Sequence, residues 1–322
     1  FFFFKQKTAY EIRNCDWSSD VCSSDLTTPV TSAATDRRDG AEGAGQEPAT
    51  GHATAGNTAS EAVGDSAPPA AGCVLRLAPL LLPRTRRGIV GSSRYAQRLR
   101  EEIRVASQDS GRRPVLISGE PGLEKDNIAA LIHFGSSDRQ QLLIRLNGAL
   151  LRADGADLFG RSAGEDIPLL ECLGEGSLLI DQLDLAPPAV QQQLLELARD
   201  RRWRDPQDLQ RFHRFAGRLF FTAEKSLGAF DPLCRQIRVP PLRVRRADLG
   251  EWIRYGVRQK ARSLGWSRPP EVGVEAVRRL QTYDFPGNLR ELQSLIERAL
   301  RQCSASHPAT LPDDVFWTQR RS

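Results

Sequence analysis

Val115-Leu116-Ile117-Ser118-Gly119-Glu120-Pro121-Gly122-Leu123-Glu124-Lys125-Asp126 is an apolar run, then a turn with two glycines, then the start of a helical pattern. Ile128, Leu131 and Ile132 continue that pattern, so the stretch reads strand, turn, helix. A phosphate loop belongs in such a place. It turns backbone N–H groups toward phosphates, its glycines allow φ > 0 and close approach, and its lysine sets an ammonium on the outer phosphates. Lys125 is the candidate for that role. The plainer alternative makes Lys125 and Asp126 a surface ion pair at a helix start. Glu124 counts against a working loop, because it places a β-carbon and a carboxylate where the backbone curls most tightly. Strain of that kind costs roughly 1–3 kcal/mol, and a carboxylate beside a polyanion adds repulsion in a poorly solvated cleft.

Outward from this loop, short apolar strands are expected at 142–146, 177–180 (running into Asp181), 218–221 and 237–239. Helical patterns lie between them, one upstream with Tyr95, Leu99, Ile103 and Ala106 on one face, another over 187–199. Strands alternating with helices indicate a parallel sheet with crossover helices. Pro240-Pro241 closes that region, and three helical patterns at 246–264, 273–282 and 287–302 make an all-helical second part. In the last of these, Pro286 suits a first turn and Leu289, Leu292, Leu295, Ile296 and Ala299 form a buried face. Arg290 sits in the first turn, where the helix dipole serves a cation poorly, so it is expected to point at an anion.

The chain has 322 residues and no Met. Residues 1–26 read as conceptual translation of a sequencing-library adapter and are set aside from fold reasoning. Residues 27–73, rich in Ala, Thr, Gly, Ser and Pro, read as a disordered linker. The expected division is then a core at 74–240, a lid at 241–305 and a tail at 306–322. The formal net charge of +5 permits contact with nucleic acid but does not argue for it. Cys73, Cys172, Cys234 and Cys303 are scattered without metal-ligand spacing and read as reduced thiols of a cytoplasmic protein. No apolar run approaches the roughly 20 residues that span a bilayer.

Tyr283-Asp284-Phe285-Pro286-Gly287-Asn288-Leu289-Arg290-Glu291-Leu292 resembles the "WPGNVREL" signature of sigma-54-dependent transcriptional activators, the NtrC-like branch of AAA+ ATPases. Gly88-Ile89-Val90-Gly91-Ser92-Ser93 resembles the opening of the same domain, and Pro240-Pro241-Leu242-Arg243-Val244-Arg245 its "PPLRER" boundary. The resemblance implies a RecA-like α/β core with a small helical lid, and the cofactors ATP and Mg²⁺. In the family's phosphate loop, "GESGTGKE", Gly119, Glu120, Gly122 and Lys125 match. Pro121 and Leu123 depart from it, Glu124 replaces glycine and Asp126 replaces glutamate. All eight, with Arg290 as lid sensor of the phosphates, are the expected nucleotide-binding residues.

Leu178-Leu179-Ile180-Asp181-Gln182 resembles the Walker B strand "LFLDE". By that resemblance Asp181 would hold Mg²⁺, while Gln182 replaces the glutamate that polarises water and cannot accept a proton. Asp184 is a substitute base in reserve. Glu224 stands where the sensor strand carries Asn. Arg235, in a segment shorter than the family's, is the best match for an arginine that would reach a neighbouring AAA+ subunit.

Asp157-Leu158-Phe159-Gly160 matches the family's "ELFG", but the stretch from there to Asp181 is short, and 161–166 lacks the aromatic and Thr of the "GAFTGA" loop. Contact with sigma-54 is therefore not expected, and no DNA-binding helix-turn-helix is visible. The expected function is a degenerate regulator that binds ATP with impaired hydrolysis. The alternatives are an active ATPase remodelling a protein partner and a nucleotide-free interaction module.

Overall fold

The computed structural model describes residues 71–161, 167–208, 210–303 and 306–316. The adapter-like residues 1–26, most of the expected linker and the segment 162–166 lie outside these. The chain enters through α1 (Ala71–Leu77), which begins inside the stretch expected to be linker. After α2 (Arg94–Ser107), capped by the Ser93 hydroxyl, come β1 (Val115–Ser118) and α3 (Lys125–Phe134). There follow β2 (Leu143–Asn147), the short α4 (Ala156–Phe159) and α5 (Leu169–Leu173), β3 (Ser177–Asp181) and α6 (Pro188–Asp200). A hairpin of β4 (Arg202–Arg204) and β5 (Phe212–Arg214) precedes β6 (Leu219–Ala223) and β7 (Arg235–Arg238).

Five of these strands form one parallel sheet in the order β2-β3-β6-β1-β7. The three inner strands, β1, β3 and β6, are nearly continuous apolar runs because both faces are covered, as parallel sheets require, whereas the edge strand β7 reads Arg-Gln-Ile-Arg. Leu116, Ile144, Leu178, Ile180 and Phe221 pack on one face, and Val115, Ile117, Leu143, Leu179 and Phe220 on the other. This is the expected α/β architecture. Every strand of the sheet runs the same way, so the loops after β1, β3 and β6 gather at one edge, where ligands of such sheets bind.

The second part contains α7 (Leu249–Ser263), α8 (Val274–Gln281) and α9 (Asn288–Gln302), in line with the three expected helices. Gly287 precedes α9, so Pro286 stands before the helix rather than in its first turn. The helices share a core with Leu311, Val315 and Phe316, and β8 (Glu271–Val272) pairs with β9 (Thr310–Leu311). Part of the expected tail is thus packed into the lid.

Two features depart from the sequence reading. The hairpin was not expected, because its strands, Arg-Trp-Arg and Phe-His-Arg, are only three residues each. Cys73 and Cys172, expected as reduced thiols, form a disulfide that ties α1 to α5, whereas Cys234 and Cys303 are free. A pair 99 positions apart leaves no spacing signal. Among the described residues no helix is long and apolar enough to cross a membrane.

Candidate nucleotide site

The loop joining β1 to α3 is held by close backbone approaches. At Gly122, with φ 79°, a β-carbon would come 2.2 Å from the Gly287 carbonyl oxygen, so glycine there lets the lid turn lie against the loop. Glu124 adopts φ 53° and ψ 47°, the left-handed conformation that glycine takes freely and other residues rarely. The expected strain is present. The expected clash of its charge with a phosphate is met differently. The carboxylate turns aside to Arg87, lies 3.9 Å from Arg86, and accepts a 2.7 Å hydrogen bond from Gln293 of α9. Arg87 is itself stacked 4.0 Å from the Trp252 ring, and burial lowers its pKa against the opposing pull of Glu124.

Lys125 is not a surface partner of Asp126. Its Nζ donates to the carbonyls of Gly119 at 2.6 Å and Glu120 at 3.0 Å, within the loop. Burial lowers its pKa, while the carboxylates of Asp181, Glu224, Asp184 and Asp126 hold the proton on. Lys125 thus sits in the field of the acids that end or follow β3 and β6, while its hydrogen bonds stay within its own loop. Asp126 pairs instead with Arg86 at 2.8 Å and with Arg145 of β2 at 3.1 Å.

Asp181 ends β3 beside Thr222 of β6, whose hydroxyl donates to Oδ1 and accepts from the Gln182 backbone N–H at 3.0 Å. Its other oxygen accepts from Arg145 at 2.5 Å. Gln182 turns the chain at φ 59°. Glu224 is exposed, and its N–H donates to Asp184 Oδ2 at 3.2 Å; Asp184 Oδ1 is buried with no hydrogen-bond partner among the described residues. Arg235 opens β7 opposite Val115, at the end of the sheet away from the loop, so within one chain it is remote from the site.

The lid grips the loop residue by residue. Glu120 accepts from both guanidinium nitrogens of Arg243, at 2.8 and 2.5 Å, and from Asn288 at 3.1 Å. These donors, Arg243 first, lower its pKa. Asn288 also donates to the Pro121 carbonyl at 3.1 Å and accepts from the Leu242 N–H at 2.9 Å. The Arg290 backbone N–H donates to Gly122 at 3.2 Å, while its side chain is exposed beside the loop. Leu123 is buried beneath the loop. Between the arm 84–87, Glu124 and the helices α7 and α9 lies a cavity of about 770 Å³, lined by Trp252, Tyr255 and Ile296 among others. That is within the usual range for a small-molecule pocket.

Sequence reasoning did not assign Arg86, Arg87, Arg145, Thr222 or Asn288 to this site. Arg145 carried a signal, a charge in the middle of an otherwise apolar strand. The donor set does not fit the expected Mg²⁺. Both oxygens of Asp181 are engaged, Asp126 serves two arginines, and no group of three or more His, Cys, Asp or Glu is gathered for a metal among the described residues.

A parallel sheet in this order, with a phosphate loop after β1 and a helical lid against it, defines the AAA+ class of P-loop ATPase folds. The chain belongs to the family of sigma-54-dependent transcriptional activators. Residues 89–205 match the sigma-54 interaction domain and residues 243–321 the AAA+ ATPase lid domain. It is similar to the Psp operon transcriptional activator of Escherichia coli K12, 33% identical over 225 residues, covering 63% of this chain and 68% of that protein. It is also similar to the C4-dicarboxylate transport regulator DctD of Pseudomonas aeruginosa, 30% identical over 246 residues, covering 70% of this chain and 53% of that one. The chain thus spans about half the length of DctD. Among solved structures, NtrX from Brucella abortus in complex with ADP superposes with a TM-score of 0.61 at 25% identity, covering 70% of this chain and 54% of that one.

Proposed function

We propose that this chain is a degenerate regulator of the sigma-54 activator type, which binds an adenine nucleotide and turns it over poorly, serving transcription as a regulatory or scaffolding module. The observation that carries the reading is the end of β3: Asp181 is followed by Gln182, an amide that cannot take a proton from water. The loop kept between β1 and α3, with Lys125 inside it and the lid residues Arg243 and Asn288 against it, supports retained binding, as does the likeness to NtrX solved with ADP. We place the chain in the cytoplasm, assembling with AAA+ subunits, and assign it no contact with sigma-54.

The test uses the full chain. A fluorescent ATP analogue should bind, Lys125→Ala should abolish that binding, and phosphate release should be near background. Glu124→Gly with Gln182→Glu should raise both affinity and turnover. Turnover in the unmodified chain that Lys125→Ala removes would overturn the impaired-hydrolysis reading, and absence of binding would favour a nucleotide-free interaction module. One observation favours the rival, an active ATPase remodelling a protein partner: Asp184, beside Glu224, has a carboxylate oxygen with no hydrogen-bond partner among the described residues. In that case Asp184→Asn would remove the turnover.

A further inference from the structure

β2 is apolar except at Arg145, which interrupts it, and at its last residue, Asn147. In the sheet register Arg145 stands beside Leu179 and Asn147 beside Asp181, so by the two-residue alternation of strands Arg145 and Asp181 share the face that packs on α3. Its guanidinium uses both prongs there. Nη1 lies 3.1 Å from Asp126 of α3 and Nη2 2.5 Å from Asp181 of β3. The two carboxylates are 8% and 15% exposed, the arginine 37%. Two half-dehydrated carboxylates sharing one site repel each other unless a cation stands between them. A guanidinium is permanently charged and forked, which suits that task. Mg²⁺ would need near-octahedral oxygen ligands at about 2.0–2.1 Å and would have to displace this fork or share its acids.

We infer that Arg145 is the resident cation of the site, standing between Asp126 and Asp181 where a divalent metal is expected, and that a nucleotide diphosphate or triphosphate binds this chain without Mg²⁺, its charge met by Lys125 and Arg145. The second half rests on the nucleotide-binding reading above; the first half does not.

Two measurements on the full chain separate the halves. Without nucleotide, the melting temperature of the unmodified protein should be the same in millimolar MgCl₂ as in EDTA. Arg145→Gln should melt lower and gain about 2–4 °C from MgCl₂. Arg145→Lys, which keeps the charge, should remain insensitive. A rise with MgCl₂ in the unmodified protein would overturn the inference, and that comparison needs no variant to fold. In titrations with a fluorescent ADP analogue, the unmodified protein should bind within about threefold of the same affinity with either MgCl₂ or EDTA. Arg145→Gln should bind about tenfold more weakly in EDTA and recover with MgCl₂. Affinity of the unmodified protein falling about tenfold or more in EDTA would overturn the metal-independent half. Binding lost in both buffers would instead sink the nucleotide reading, with the melting comparison still deciding the place of Arg145.

Discussion

At Glu124 two physical terms of opposite sign meet. Its left-handed backbone costs about 1–2 kcal/mol relative to glycine, the lower part of the range for such strain. Its carboxylate, 11% exposed, partners the Arg87 guanidinium, 7% exposed, so removing it strands a nearly buried cation. Losing one member of a buried pair costs about 3–5 kcal/mol, more than the strain relieved, and the Trp252 ring retains part of the hold on Arg87. Glu124→Gly is therefore expected to lower unfolding free energy by about 1–3 kcal/mol in urea titrations while raising nucleotide affinity about tenfold. Adding Arg87→Leu should recover much of the stability and none of the affinity. A Glu124→Gly protein as stable as the parent would mean the Arg87 pair contributes nothing. The sequence exposed only half of this balance: the misfit residue stands beside Lys125, but its partner lies 37 positions upstream in a stretch with no periodic pattern.

Among the elements, α3 is joined to the sheet through His133 as well as through its apolar face. The ring is fully buried, with Nε2 3.1 Å from the Gln141 carbonyl and Nδ1 2.9 Å from the Ser177 hydroxyl. A carbonyl only accepts, so Nε2 carries the hydrogen and Nδ1 accepts from Ser177. Burial pushes the pKa down from 6.5 to about 4. A folded pKa below the unfolded one means the unfolded chain binds the proton first. His133 thus contributes fully above pH 6.5, and its contribution is lost as the pH falls to about 4, by about 3 kcal/mol at most. Unfolding free energy measured between those limits should fall with pH less steeply in His133→Gln; an equal slope would remove His133 from the account. Elements of this kind were legible where periodicity is strong. The apolar strands and the three lid helices follow from spacing alone, whereas β4 and β5, three residues each, offer too few positions for an alternation to stand out. The partners of Arg145 and Asn288 were hidden for another reason, although the charge of Arg145 within an apolar strand marked the position itself. Each joins segments far apart in the chain, and pairing across a fold leaves no local pattern.

For the whole molecule, the Cys73–Cys172 bridge decides how firmly α1 belongs to the core. Leu77 of α1 is buried, but the helix has only seven residues, and the bridge closes a span of 99 positions. In the chain-entropy account a loop of that length restricts the unfolded ensemble by about 4–5 kcal/mol, and measured bridges commonly deliver 2–4 kcal/mol. Among the described residues the two free thiols are poor participants in exchange: burial pushes Cys234 up to about 12 and raises Cys303 as well, so both stay protonated near neutrality. Within the described residues reduction should accordingly act through the Cys73–Cys172 bridge. Urea unfolding of the full chain should shift to lower stability by about 2–4 kcal/mol in dithiothreitol, Cys172→Ser should match the reduced protein with or without reductant, and peptide mapping of untreated protein should recover the Cys73–Cys172 cross-link. In a reducing cytoplasm, where such bridges are uncommon, the cross-link would open and leave α1 held by its few apolar contacts. Equal stability of oxidised and reduced protein would show that those contacts suffice and that the bridge adds no constraint of its own.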